Sequence, residues 1–117
     1  MDNTFVEYLN GLKQKHLSNN KVLFVQSLQF NLNAFNKQVA KNKGYYSYPP
    51  NNLLWLTKSL KALDLDVKIL DLNYELLKNI NNDESYDYKN WLFVLEQYIR
   101  QHKPSVIGIS CTSVSNL

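Results

Sequence analysis

Residues 103–113, KPSVIGISCTS, decide the fold, and they lie near the end of the 117-residue chain. The apolar run at 106–109 predicts a strand that is covered on both faces, as in a parallel sheet. Gly108 interrupts that run, and a glycine within a strand often marks the close approach of a ligand or of another backbone. Serine and threonine follow at the carboxyl end, where open α/β sheets bind ligands. Alternatively, these hydroxyl groups only close a turn and cap a following helix.

Two further stretches predict parallel strands. Residues 21–27, KVLFVQS, contain four consecutive apolar residues. Residues 67–72, VKILDL, follow a leucine-rich helix that is predicted at about 51–63, directly after Pro49-Pro50. A second long helix is predicted at 86–102, before the last strand. The alternation of strand, helix, strand, helix and strand predicts an α/β fold with a three-layer, Rossmann-like (flavodoxin-like) parallel sheet. Right-handed crossovers place the strands in the order 2-1-3.

The remainder of the chain is an N-terminal segment. The helical spacing of Phe5, Leu9 and Leu12 predicts an amphipathic helix, so residues 1–20 form an N-terminal extension and residues 21–117 form the α/β domain. Sheets average about five to six strands, and only three are predicted here. We therefore expect an incomplete domain, truncated after the third strand. Its sheet would be completed by the remainder of a longer parent enzyme or by a homo-oligomer.

In the order 2-1-3, the first and third strands are neighbours at the topological switch point, where such sheets bind ligands. The residues after these two strands are therefore expected to share one crevice. The predicted lining is Gln26, Ser27, Leu28, Ser110, Cys111 and Thr112. Asp71 ends the second strand at the same edge of the sheet. Asp71 either lines this crevice or, in the simpler interpretation, is the N-cap residue of a short helix at 74–80.

A long connection, residues 28–48, separates the first strand from the helix that follows it, and connections of this length are often functional. Its tyrosines, Tyr45, Tyr46 and Tyr48, form either a packing lid or a surface that faces a ligand. Trp55 in the next helix is expected to belong to the core or to a helix–helix contact.

Composition excludes several functions. The single cysteine, Cys111, cannot form an internal disulfide, which favours the cytoplasm, and it cannot alone supply a zinc site or an iron–sulfur cluster. The net charge is +3, but the lysines are scattered along the chain, so no nucleic-acid partner is expected. No apolar run approaches the roughly 20 residues that cross a membrane, so no membrane partner is expected. No nucleophile–base pair or metal-ligand set is identifiable, so no catalytic or metal-ligating residue is assigned.

Four stretches together resemble the N-terminal cobalamin-binding-like domain of radical S-adenosylmethionine enzymes. They are residues 21–26 (KVLFVQ), 49–63 (PPNNLLWLTKSLKAL), 67–71 (VKILD) and 103–112 (KPSVIGISCT). The resemblance implies a cobalamin at the carboxyl ends of the strands, with residues 110–112 at the pocket for its nucleotide tail. It also implies that S-adenosylmethionine and the 4Fe-4S cluster belong to a longer parent enzyme, because the Cys-x-x-x-Cys-x-x-Cys motif is not in this chain.

The sequence departs from cobalamin-binding domains at several positions. Domains of the methionine-synthase type carry a histidine axial ligand in a loop after the first strand, but no histidine lies between His16 and His102. Asn52 stands where the family usually has glycine, and glycine is also common near Asp64. These departures favour the same fold without a cofactor, acting as a structural or protein-interaction module. In that case the chain's own tyrosines would fill the crevice.

Two other doubly wound classes fit the sequence poorly. A phosphoacceptor receiver needs an acidic pair after the first strand and an aspartate at the end of the third, where Gln26-Ser27 and Ser110 stand. A flavin domain needs a phosphate-binding loop after the first strand, which residues 28–30, LQF, do not supply.

Overall fold

Residues 3–111 are described by the structure, a computed structural model, and they form a three-stranded sheet with helices on both faces. The strands are β1 (Lys21–Gln26), β2 (Asp66–Asp71) and β3 (Val106–Ser110). Both strand pairs are parallel, and the order across the sheet is β2-β1-β3. The prediction of an α/β, Rossmann-like parallel sheet of order 2-1-3 is therefore confirmed.

Helices and short 3-10 turns connect the strands. The helices are α1 (Asn3–His16), α2 (Lys37–Lys41), α3 (Asn51–Ser59), α4 (Leu72–Asn82) and α5 (Trp91–His102), and the 3-10 turns span Lys61–Leu63 and Tyr88–Asn90. Across residues 3–111, no helix combines the length and the apolar character needed to span a membrane.

Two of the predicted helices are shorter than expected. The helix predicted at 51–63 ends at Ser59, after which the chain tightens into the first 3-10 turn. The helix predicted at 86–102 begins only at Trp91. Asp87 causes this delay, because its side chain accepts the backbone N–H of Lys89 and so caps a separate 3-10 turn.

The sheet lies between two apolar layers. Alternate residues of β1 face opposite sides, so Val22 and Phe24 pack against Leu53 of α3, whereas Leu23 and Val25 face α4 and α5. None of these five residues is more than 9% exposed. The central strand is thus buried on both faces, as its four consecutive apolar residues predict.

Strand β3 is much less covered than predicted. Val106 is 40% exposed, Ile107 41% and Ile109 63%. Among residues 3–111, β3 pairs with β1 alone, so it is an edge strand. The prediction that this strand is covered on both faces is wrong, because an apolar run specifies a strand but not which elements pack over it.

Only one side of α3 meets the sheet. Leu53 is buried, but Leu54, Trp55 and Leu56 are 50, 69 and 48% exposed. The prediction that Trp55 belongs to the core or to a helix contact is therefore wrong. A nine-residue helix lying across one strand pair has room on its inner face for few side chains, and Trp55 lies outside that face.

The N-terminal helix is confirmed as α1, but its apolar side is largely open. Phe5, Tyr8 and Leu12 are 51, 64 and 37% exposed. The helix is held near the first 3-10 turn, where the Lys13 amine donates to the carbonyl oxygen of Leu63. Helix α1 therefore adds little to the core around the sheet.

Candidate functional site

The carboxyl ends of the three strands lie side by side. Gln26 is in register with Asp71 on one side and with Ser110 on the other. Residues in register on parallel strands point to the same face, so these three side chains form a row on the face that carries α3. The switch-point geometry expected from the sequence is present.

Ser27 joins the ends of β1 and β3. Its backbone N–H donates to the carbonyl oxygen of Ser110 at 3.1 Å, and its hydroxyl donates to the same oxygen at 2.8 Å. The prediction that Ser27 and Ser110 meet at one rim is therefore confirmed. The Ser27 hydroxyl is already engaged in holding the two strand ends together.

Asp71 caps α4. Its Oδ1 accepts the backbone N–H groups of Asn73 at 3.0 Å and Tyr74 at 3.3 Å, as an N-cap carboxylate does. Its Oδ2 accepts the hydroxyl of Ser47 at 3.4 Å. The capping interpretation of Asp71 is confirmed. Because the cap starts the helix at Leu72, the second strand ends one residue earlier than predicted.

Asn73 organises this edge, and sequence reasoning does not identify it. Its side chain is fully buried; Oδ1 accepts the backbone N–H of Gln29 at 2.7 Å, and Nδ2 donates to the carbonyl oxygen of Ser27 at 3.0 Å. One amide thus pairs a donor and an acceptor of the loop after β1. The only local signal is an asparagine two residues after a strand-ending aspartate, and that spacing is too common to be informative.

The other predicted lining residues fall in different places. Leu28 packs against the apolar clusters that surround β1 and α4. Cys111 is exposed and directly follows β3. Thr112 lies outside the described residues. The structure therefore brings Gln26, Ser27 and Ser110 together, and it turns Leu28 toward the core.

A cavity of about 210 Å³ opens beside Gln26. The described residues that line it are uncharged: Gln26, Gln29, Tyr48, Pro49, Pro50, Asn51 and Asn52. Gln26 is 5% exposed and forms the floor, whereas Tyr48 is 65% exposed and stands at the rim. A second cavity, of about 470 Å³, lies beside Asp71 and shares the two prolines with the first.

The three tyrosines of the long connection do not act together. Tyr45 stacks on Phe35, with ring centroids 4.7 Å apart, and its hydroxyl accepts the backbone N–H of Asn36. Tyr46 and Tyr48 pack edge to face and are 66 and 65% exposed. The connection is thus a packing element at Tyr45 and an open surface at Tyr46 and Tyr48.

Gly108 is covered by an aromatic ring of the chain itself. A Cβ atom at this position would lie 2.9 Å from Cδ1 of Phe24. The close approach that a glycine in a strand indicates is therefore made by Phe24, which fills the space over β3 on the α3 face.

The imidazole groups lie away from this edge. His102 is buried, and its Nε2 lies 3.0 Å from the carbonyl oxygen of Val22, near the start of β1. His16 ends α1. Within residues 3–111, no group of three or more histidine, cysteine, aspartate or glutamate side chains is placed to hold a metal ion.

A second concave surface, the α4–α5 groove, lies between these two helices. Two adjoining cavities of about 420 and 690 Å³ share Asp83, Tyr86 and Phe93 as lining. Tyr98 also lines it; burial, together with the nearby carboxylate of Glu75, raises the pKa of the Tyr98 hydroxyl. Phe93 is 60% exposed, and sequence reasoning does not anticipate this groove.

Comparison with known proteins identifies no relative. No protein-family model, no curated protein and no solved structure matches this chain. A function must therefore be argued from the fold and from the positions of the side chains.

Proposed function

We propose that this chain is a cobalamin-binding-like domain of a radical S-adenosylmethionine enzyme, and that it positions a corrinoid at the carboxyl edge of its sheet. The observation that supports this proposal is the junction of β1 and β3, where Ser27 donates to the carbonyl oxygen of Ser110. Doubly wound sheets bind ligands in the crevice at this switch point.

The side chains at this edge suit the periphery of a corrinoid better than its metal. A corrinoid carries uncharged carboxamide arms, and Gln26 and Tyr48 offer uncharged hydrogen-bonding groups. No described histidine is near enough to ligate cobalt, since His102 bonds to Val22 at the other end of β1. Binding therefore depends on contacts with the ring and its arms.

The residues around the crevice hold its shape before a ligand arrives. Ser27 ties β1 to β3, and Asn73 ties the loop after β1 to α4. A preorganised surface loses less entropy on binding. A bound corrinoid supplies cobalt-centred chemistry such as methyl transfer, while S-adenosylmethionine and the 4Fe-4S cluster would be held by the remainder of the parent enzyme.

Equilibrium dialysis of the 117-residue chain against hydroxocobalamin tests this proposal. We expect the wild-type chain to retain visible corrinoid absorbance and Ser110→Phe to bind about tenfold more weakly, a loss of about 1.4 kcal/mol. The matched control is Ser18→Phe in the exposed loop before β1, which should bind as the wild type does. Circular dichroism establishes that both variants are folded.

Two results contradict the proposal. One is a wild-type chain that retains no corrinoid. The other is equal binding by Ser110→Phe and Ser18→Phe, because it would place the corrinoid away from the junction of β1 and β3.

A second candidate function is that of a structural or protein-interaction module, and the exposure of β3 favours it. Three apolar side chains of this edge strand are 40 to 63% exposed, and the strand contains no charged residue. Unprotected edges of this kind pair with further strands. The partner would be the remainder of the parent enzyme or a second copy of the chain.

Sedimentation over a range of protein concentrations tests pairing between copies. If β3 forms that contact, the wild-type chain dimerises and Ile109→Lys is monomeric, because a lysine on an edge strand opposes pairing. The control Leu56→Lys places the same charge on exposed α3 and should leave the dimer intact. A wild-type chain that stays monomeric throughout excludes self-pairing through β3.

A further inference from the structure

We propose that the cavity beside Gln26 is a binding site for a small, uncharged carboxamide. The cavity, of about 210 Å³, lies between the carboxyl end of β1 and the first turn of α3. Sites for drug-sized ligands measure about 300–1,000 Å³, so this one suits a small compound or a single side arm of a larger one.

The first observation is a buried amide at the floor of the cavity. Gln26 is 5% exposed and lines the cavity, and within residues 3–111 its side-chain amide takes part in no hydrogen bond. The amide atoms are not fully enclosed, because the Tyr86 hydroxyl is the one fully buried polar side-chain atom without a partner in the described part of the chain. The Gln26 amide is therefore accessible from the cavity and open to a partner that enters there. A glutamine side chain offers that partner both a donor and an acceptor.

The second observation is the uncapped start of α3. The residue before this helix is Pro50, which makes no side-chain capping hydrogen bond. The N–H of Asn51 donates to the carbonyl oxygen of Pro49 at 2.8 Å, whereas the N–H of Asn52 has no partner in the described part of the chain. Both asparagines line the cavity, so a free backbone donor lies beside it.

The charges around the cavity select a neutral ligand. Among residues 3–111, no charged side chain lines it, and the amino-terminal end of α3 carries a partial positive charge that disfavours cations. Asp71, in register with Gln26 on the same face of the sheet, disfavours anions. A carboxamide satisfies both constraints: its oxygen accepts from the first turn of α3, and its NH₂ group donates to the side-chain oxygen of Gln26.

This site extends beyond the corrinoid proposal, because it needs neither cobalt nor a macrocycle. If the corrinoid proposal also holds, the cavity is one place where a carboxamide arm of the ring would be anchored. A chain that does not bind hydroxocobalamin would contradict the corrinoid proposal but not the carboxamide site. A chain that does not bind benzamide would contradict the carboxamide site but not the corrinoid proposal.

NMR titration of the ¹⁵N-labelled chain with benzamide tests the inference, with benzoate and benzylamine as charged analogues of similar size. We expect saturable shifts of the Gln26 side-chain amide and of the Asn52 backbone N–H with benzamide. Binding of either charged analogue should be at least about tenfold weaker. Gln26→Leu conserves the side-chain volume and should abolish saturation, whereas the control Gln38→Leu, on exposed α2, should not.

Three results would overturn the carboxamide site. They are benzoate or benzylamine binding as tightly as benzamide, full benzamide binding by a folded Gln26→Leu chain, and the absence of any saturable shift at Gln26 and Asn52 in the wild-type chain. The comparison of the three ligands uses wild-type protein alone, so it decides the question even if Gln26→Leu does not fold.

Discussion

Strands β1 and β3 have similar apolar sequences and lie side by side, yet their environments differ. Residues 22–25 of β1 are at most 9% exposed, whereas Val106, Ile107 and Ile109 of β3 are 40 to 63% exposed. The central strand has a neighbour on each side and helices over both faces; β3 pairs with β1 alone within residues 3–111. We infer that β1 carries the stability of the fold and that β3 is the strand open to new contacts.

The largest expected effect on stability is a difference between equivalent truncations in β1 and β3. Leu23→Ala should lower the free energy of unfolding by about 2–5 kcal/mol, because it leaves a cavity where the side chain is 0% exposed. Ile109→Ala should cost less than about 1 kcal/mol, because surface substitutions have small effects. Urea unfolding measures both, and equal losses would contradict the contrast between the strands.

The next effect concerns the loop that leaves β1. Asn73→Ala removes the partner of the Gln29 N–H and of the Ser27 carbonyl, so we expect a loss of about 2–3 kcal/mol, as for buried polar groups left unpaired. The control Asn81→Ala removes one exposed hydrogen bond to Leu77 on the same helix and should cost less than about 1 kcal/mol. Equal losses of unfolding free energy for the two variants in urea would show that the buried hydrogen bonds of Asn73 stabilise the fold no more than the exposed hydrogen bond of Asn81 does.

A smaller effect tests the contact between the two strands. Gly108→Ala puts a methyl group 2.9 Å from Cδ1 of Phe24, so we expect a loss of about 1–2 kcal/mol from overpacking. In a Phe24→Leu background the same substitution should cost less, and a double-mutant cycle measures this coupling. A neutral or stabilising Gly108→Ala in the wild-type background would show that the ring of Phe24 moves aside freely.

The smallest expected effect on stability is in the exposed loop after α4, which is remote from β1 and β3 and serves as a reference for them. Asp83 accepts hydrogen bonds from the hydroxyl and the N–H of Ser85, which lower the pKa of its carboxyl below the ordinary 3.8. A lowered pKa stabilises the fold above pH 3.8, and this stabilisation is lost as the pH falls through the folded-state value. NMR titration should show that Ser85→Ala raises the pKa of Asp83 toward 3.8; an unchanged pKa would exclude the hydroxyl as the cause.

What the sequence predicts well is local or topological. Asp71 is recognisable as a cap because its partners, Asn73 and Tyr74, follow within three residues. The meeting of Ser27 and Ser110 follows from the strand periodicity and the handedness of the crossovers, although 83 residues separate them. Neither inference needs to know how the side chains pack.

What the sequence does not predict depends on long-range packing. The partners of Asn73 lie 44 and 46 residues away, so nothing near it in the chain reveals its role. The exposure of Trp55 and Ile109 depends on which elements pack over α3 and β3. The apolar periodicity of a segment does not reveal whether another element packs over it. The cavity beside Gln26 likewise arises where a distant helix meets the end of β1.

Ligand binding at the carboxyl edge of the sheet is tested most directly by mapping ¹⁵N chemical-shift changes when hydroxocobalamin is added to the labelled chain. We predict that the largest changes fall on Gln26, Ser27 and Ser110, with none at His102 near the opposite end of β1. Changes confined to Phe93 in the α4–α5 groove, or no changes at all, would contradict a corrinoid site at the junction of β1 and β3.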